Sequence, residues 1–278
     1  MARSRANWQR ARFCITFHKY PTGVRGCETP GSPASHERRP MNIAMWSGPR
    51  NLSTALMYAF AARGDCAVWD EPFYAAYLAA TGIDHPMRAE IVATHEADAA
   101  RVAAACAAPP AGGAPLFYQK HMTLHMIPAF DRGFMRACAN VFLIRHPARV
   151  VASYAKKREG PMLADIGFVQ QAELFDEVAG WMGRAPLVID SADIRADPAG
   201  ALERLCGALG IAFADRMLRW PVGPKPFDGV WAPHWYGAVH RSAGFEDPEG
   251  PLPDLPPDYA RLADAALPYY ERLRAHAL

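Results

Sequence analysis

No two cysteines in this chain are spaced as C-x-x-C, and no His/Cys group has the spacing of zinc ligands. The six that exist (Cys14, Cys27, Cys66, Cys106, Cys138, Cys206) are scattered. They read as reduced thiols of a cytoplasmic protein rather than as a disulfide framework or metal site. Long apolar runs are missing too: none approaches the roughly 20 residues that span a bilayer. A dominant charge is absent, since the formal net charge of +2 is too small for a nucleic-acid binder working by bulk electrostatics. There is no internal repeat. What remains is a 278-residue chain, 51% hydrophobic, long enough to bury one substantial core.

The first 40 residues stand apart. Arg3, Arg5, Arg10, Arg12, Arg25, Arg38 and Arg39 face only Glu28 and Glu37, among Pro, Gly and Ser without periodicity. The segment is expected to be a disordered leader, or an extension ahead of a true start at Met41, with a transit peptide as the other reading. One domain is expected over residues 41–278. Short apolar runs at Ile43–Trp46, Ala67–Trp69, Leu116–Lys120, Val141–Ile144 and Leu187–Ile189 read as buried strands. Helices are expected between them, at Arg88–Ala107, His125–Ala137, Pro147–Lys157, Asp165–Met182 and Pro198–Leu209, with a last one at Pro257–His276. Strands alternating with helices imply an α/β fold, a three-layer α/β/α arrangement around a mainly parallel sheet.

Ile43–Leu56, IAMWSGPRNLSTAL, carries the strongest signal. An apolar strand enters Ser47-Gly48-Pro49, and Arg50-Asn51 follow. Ser53 and Thr54 then open a helical pattern. Bare N–H groups at such a helix start carry partial positive charge and attract phosphate or sulfate. Arg50 adds a full charge, and Ser53 and Thr54 add donors. The nucleoside-triphosphate pattern G-x-x-x-x-G-K-[ST] is not met, because its second glycine and its lysine are missing. That weakens an ATPase or GTPase reading.

Two further segments extend the pattern. In VFLIRHPARVVASY a strand ends in Arg145, and Ser153 lies two turns into the next helix, so both are placed to grip one phosphate. In Leu187–Ile211 a strand leads through an acidic turn and Asp197-Pro198 to a helix ending Leu209-Gly210-Ile211. Together these motifs resemble the sulfotransferases that use 3′-phosphoadenosine 5′-phosphosulfate. The resemblance covers residues 41–211 and implies a P-loop-like fold. It makes Gly48, Pro49, Arg50, Asn51, Ser53 and Thr54 the 5′-phosphosulfate loop, and Arg145 with Ser153 the 3′-phosphate pair. Many cytosolic members have Lys where this chain has Arg50. Their C-terminal R-K-G-x-x-G element is absent, and His240-Arg241-Ser242-Ala243-Gly244 offers Arg241 as a third phosphate ligand.

Two residues compete for the general base. Lys120-His121 resembles the K-x-H region that holds the catalytic histidine of cytosolic members. Glu71, in Asp70-Glu71-Pro72-Phe73, resembles the Glu-Pro motif of other branches and is the favoured base, with His121 or Lys120 stabilising the leaving phosphate. Arg50 and the loop N–H groups would meet charge on the bridging oxygen, and no metal is required. Trp69, Phe73, Tyr74, Tyr77, Trp231, Trp235 and Tyr236 are candidates to line an acceptor site, with core packing as the alternative. The resemblance implies a small-molecule, lipid or carbohydrate acceptor carrying a hydroxyl or amine, and no nucleic-acid partner. The rivals are an ATP-dependent small-molecule kinase, for which Leu187–Asp190 would be the metal-holding strand, and a non-catalytic nucleotide-binding protein.

Overall fold

In the computed structural model of the chain, residues 40–156 and 160–278 are described. The basic leader, and Lys157 at the end of one expected helix, lie outside them. Five strands form one sheet: β1 (Met41–Ser47), β2 (Cys66–Asp70), β3 (Leu116–Met122), β4 (Cys138–Ile144) and β5 (Leu187–Asp190). Their order is β2-β3-β1-β4-β5 and every pairing is parallel. The carboxyl ends of all five strands therefore meet along one edge. The helices are α1 (Ser53–Ala62), α2 (Tyr74–Thr81), α3 (Arg88–Thr94), α4 (Ala99–Ala107), α5 (Pro147–Ala155), α6 (Phe168–Met182), α7 (Ser191–Ala196), α8 (Pro198–Leu209), α9 (Ala232–Trp235) and α10 (Pro257–Arg274).

Alternation along β1 divides the core. Ile43 and Met45 pack with Leu56, Phe60, Leu202 and Leu205 of α1 and α8 on one face. Ala44 and Trp46 pack with Leu174, Phe175 and Val178 of α6 and with Leu273 of α10 on the other. Because both faces are covered, the strands read as continuous apolar runs, and three layers result. Helix ends follow the local chemistry. Pro147 sits at the first position of α5 behind His146, whose side chain accepts from Ala148 N at 3.3 Å. Asp197 caps α8 through Gly200 N at 3.0 Å, and Gly210 closes it in the left-handed conformation.

Three local expectations are corrected. The Arg88–Ala107 stretch is two helices, because Asp98 adopts an extended backbone and its carboxylate accepts from Ala100 N and Arg101 N, starting α4 afresh. His125–Ala137 is no continuous helix. It resolves into 3₁₀ turns at Thr123–His125 and Gly133–Ala137, separated by Pro128 and by an Asp131 turn accepting from Gly133 N. Met126 and Phe134 are buried and Ala137 is exposed. The acidic turn after β5 is the short helix α7, capped by Asp190.

The loop after β1 is held by close backbone approach. A Cβ on Gly48 would stand 2.7 Å from the carbonyl oxygen of Ile166, and Gly167 (φ +73°) lies against Gly48 in turn. Gly48→Ala is therefore expected to lower stability by about 1–3 kcal/mol through overpacking, read from urea unfolding midpoints. A midpoint within error of wild type would show that the 166–167 segment yields freely.

Candidate active site

The Gly48–Thr54 loop, Arg145 with Ser153, and Glu71 with Lys120 lie at or just after the carboxyl ends of β1, β4, β2 and β3, on either side of β1. The Gly48–Leu52 loop bends sharply: Arg50 and Leu52 both have positive φ, at 64° and 70°. Such conformations cost non-glycine residues on the order of 1–3 kcal/mol and persist only where surroundings impose them. Here Arg145 Nη1 donates to the Arg50 carbonyl at 2.8 Å, and Asn51 Nδ2 donates to Leu143 O at 3.3 Å. Helix α1 starts from Leu52 with no side-chain cap and no acidic residue in its first turn. Its leading N–H groups keep their partial positive charge for an anion. Ser47 Oγ and Asn51 Oδ1 are buried without a hydrogen-bond partner among the described residues. Ser53 is buried beneath the loop and Thr54 is half-buried.

On the β4 side, Arg50 Nε donates to Ser153 Oγ at 2.9 Å. One chain of contacts thus joins loop, α5 and Arg145. Burial and the neighbouring Arg145 both lower the Arg50 pKa from its ordinary value, an arrangement that favours a nearby negative charge. Arg241 is exposed at the end of a 3₁₀ turn, Val239–Arg241, whose other two residues are half-buried.

On the β2–β3 side the parallel register sets Asp70 opposite Lys120. Lys120, 1% exposed, donates from Nζ to Asp70 Oδ1 at 2.9 Å, to Tyr236 Oη at 2.8 Å, and over a very short contact to Glu71 Oε1. Tyr236 Oη donates to Asp70 and accepts from Trp231 Nε1 at 3.0 Å, while Gly229 N donates to Asp70 Oδ2 at 3.1 Å. Glu71 is the most open of the four, at 9%. Its backbone is strained, with φ 43°. Burial raises the Glu71 pKa above its ordinary value despite Lys120 beside it. For Lys120 burial acts downward, but Asp70 and Glu71 together more than offset it and the ammonium is stabilised. One lysine between two buried carboxylates cannot neutralise both. Burial drives Glu71 toward its protonated form.

His121 is elsewhere. Strand alternation puts it on the opposite face of β3, stacked on Trp46 at 4.4 Å and hydrogen-bonded to Gln119 at 3.1 Å. Burial and Lys120 push its pKa down to about 3, so it is a neutral core imidazole. A different histidine approaches Glu71: His125, sandwiched between Tyr74 and Tyr77, holds Nδ1 3.8 Å from Glu71 Oε2. That nitrogen has no hydrogen-bond partner among the described residues, and burial holds the ring neutral. Phe73, Tyr74, Trp231 and Tyr236 are all buried, so of the candidate acceptor-lining aromatics these four act first as core. Asp190, the residue a metal-dependent kinase would use, instead caps α7 through Ala192 N and accepts from Tyr270 Oη at 2.7 Å. Among the described residues no group of three His, Cys, Asp or Glu side chains is gathered as metal ligands would be. No helix among them is long and apolar enough to cross a membrane.

Sequence reasoning missed Tyr236 as a partner of Lys120, and His125. The signal for Tyr236 was an unusually aromatic tail, Trp231 to Tyr236, which gave no hint of its destination.

Residues 41–277 match the sulfotransferase domain family. Two Arabidopsis thaliana proteins, "Branched-chain-amino-acid aminotransferase-like protein 1" and "Branched-chain-amino-acid aminotransferase-like protein 2", are 37% identical over 237 residues and 35% identical over 234. The matches take in 85% and 84% of this chain but only 42% and 41% of those proteins, so the chain spans less than half the length of these relatives. Among solved structures, the sulfotransferase domain of the Synechococcus PCC 7002 olefin synthase superposes with a TM-score of 0.41 at 16% identity, covering 84% of this chain and 97% of that one. The sulfotransferase domain of the curacin biosynthetic pathway gives 0.42 at 17%, covering 82% and 98%. Since the family match runs from β1 to beyond the end of α10, the chain belongs to the sulfotransferase domain family.

Proposed function

We propose that this chain transfers a sulfuryl group from 3′-phosphoadenosine 5′-phosphosulfate to a hydroxyl or amine of a small-molecule, lipid or carbohydrate acceptor. The observation that carries the reading is the order of groups along one sheet edge. An uncapped helix start with Arg50 stands after β1, Arg145 and Ser153 lie after β4, and Glu71 with Lys120 lies after β2 and β3. The family membership supports the transferred group. Free, scattered cysteines suit a reducing, cytoplasmic setting.

In this reading the loop N–H groups, Ser53, Thr54 and Arg50 hold the 5′-phosphosulfate, and Arg145 with Ser153 holds the 3′-phosphate. Glu71 stands two strand spacings from β1, about 10 Å across the sheet edge. It takes the proton from the acceptor oxygen or nitrogen as that atom bonds to sulfur. The bond from sulfur to the bridging oxygen breaks, and its electron pair leaves on the 5′-phosphate of adenosine 3′,5′-bisphosphate. Arg50 and the helix start meet the charge that gathers on that oxygen. Lys120, fixed by Asp70 and Tyr236, sets the position of Glu71.

Thermal melting tests the donor class. Adenosine 3′,5′-bisphosphate at a hundred times its dissociation constant adds about 2.7 kcal/mol of stability. Arg145→Ala is expected to lose most of that shift. A shift seen only with ATP and magnesium would overturn the reading in favour of a kinase.

A further inference from the structure

The candidate 3′-phosphate pair is surrounded by more positive charge than its motif contains. Arg149, one turn after Arg145 on α5, and Arg195 of α7 converge with Arg145 on a single carboxylate, that of Glu249. Glu249 Oε1 accepts from Arg145 Nε at 2.9 Å, over a very short contact from Arg145 Nη2, and from Arg195 Nη1 at 3.2 Å. Oε2 stands 2.8 Å from Arg149 Nε but makes no well-directed hydrogen bond among the described residues. The glutamate side chain is 4% exposed although it lies in a segment without helix or strand. The same arginines hold the backbone around it: Arg195 Nε donates to Asp247 O at 2.8 Å and Arg149 Nη2 donates to Gly250 O. Arg145, the residue that also supports the Arg50 carbonyl, therefore spends two of its donors on a group from 104 residues away.

The charge is unbalanced. Three guanidinium groups surround one buried carboxylate, and Glu246, 3.4 Å from Arg195, is more than half exposed. A phosphomonoester carries about −1.5 to −2 at neutral pH and three acceptor oxygens, and fits three arginine forks better than a carboxylate does. We propose that Arg149 and Arg195 complete, with Arg145, a binding site for a phosphomonoester, and that Glu249 is its resident occupant, expelled when the phosphate enters. This rests on the donor reading above in taking that phosphomonoester to be the 3′-phosphate of the nucleotide. Occupation by Glu249 lowers apparent affinity to the intrinsic value multiplied by the fraction of time the site stands free, so a site filled about nine-tenths of the time binds about tenfold more weakly.

The test is calorimetric titration with adenosine 3′,5′-bisphosphate and adenosine 5′-monophosphate, together with thermal melting in inorganic phosphate. Wild type, Glu249→Gln, and Glu249→Gln combined with Arg149→Ala or Arg195→Ala are compared. Glu249→Gln is expected to bind the bisphosphate about tenfold more tightly and the 5′-monophosphate unchanged, as removal of an internal competitor requires. Adding either arginine substitution is expected to weaken the bisphosphate roughly tenfold or more, again without change for the monophosphate. Should Glu249→Gln prove too unstable to titrate, Arg195→Ala alone must still weaken the bisphosphate selectively. Bisphosphate binding that Glu249→Gln leaves unchanged or weakens would overturn the inference while the donor reading stands. If no variant binds the bisphosphate, yet Glu249→Gln gains phosphate-dependent stability that Arg149→Ala removes, the site stands and the donor reading falls.

Discussion

Lys120→Met is expected to lower stability by about 3–5 kcal/mol, the usual consequence of stripping one partner from a buried ion pair. For a domain of this size that corresponds to a fall in melting temperature of roughly 6–20 °C. The cause is specific. Lys120 is 1% exposed and supplies the compensating charge for Asp70 and Glu71, which are 3% and 9% exposed. Methionine fills much the same volume but leaves both carboxylates facing each other and Tyr236. Asp70 retains Gly229 N and Tyr236 Oη as donors, so Glu71 bears most of the change and takes up a proton. The double variant Lys120→Met/Glu71→Gln is accordingly expected to recover part of the loss, because the unpaired acid is gone. A Lys120→Met melting temperature equal to wild type would mean that the ammonium is not needed to hold the two acids together.

Glu71→Gln is expected to reduce turnover by about 10²–10⁴-fold, the range lost with a general base, while bisphosphate affinity stays near wild type. Glutamine preserves the shape and can still pair with Tyr236, but it cannot accept the acceptor's proton. The wild-type pH profile carries the same signature. Burial raises the Glu71 pKa, and the base must be ionised to work, so turnover is expected to fall as pH falls through a value above 4.5. Stability runs the other way. The folded state holds that proton more tightly than the unfolded chain, so the contribution is full below about pH 4.5 and fades as pH rises through the folded value. His121 cannot produce that limb, because its pKa is held at about 3 in the core. Near-normal turnover in Glu71→Gln would remove Glu71 as the base.

What was legible in the sequence was local. The Gly48–Thr54 loop, the Arg145 and Ser153 spacing and the alternation of strands and helices all depend on neighbours within one βα unit. The structure keeps them together. Glu71 and Lys120 were each visible, but only as rival fragments, since nothing in either segment says that β2 pairs with β3 in the register that apposes Asp70 and Lys120. His121 misled because adjacency to Lys120 in a strand means the opposite face, not the same site. Tyr236 and Glu249 lie in a Pro-rich tail without periodicity, and their contacts reach back 116 and 104 residues. Contacts of that range are set by packing of the whole domain, and no local pattern encodes them. The failure at His125–Ala137 was of another kind: apolar spacing suggested a helix, and Pro128 with the Asp131 turn outweighed it.

The central claim is that a sulfuryl group leaves a 3′-phosphorylated adenylate on this sheet edge. Its most direct test is paired incubation of the chain with sulfur-labelled 3′-phosphoadenosine 5′-phosphosulfate and with γ-labelled ATP plus magnesium, against phenolic, carbohydrate and lipid acceptors. Label from the phosphosulfate is expected to move to an acceptor, and to stop moving in Glu71→Gln. Transfer of the γ-phosphate with the sulfuryl label left in place would contradict the account.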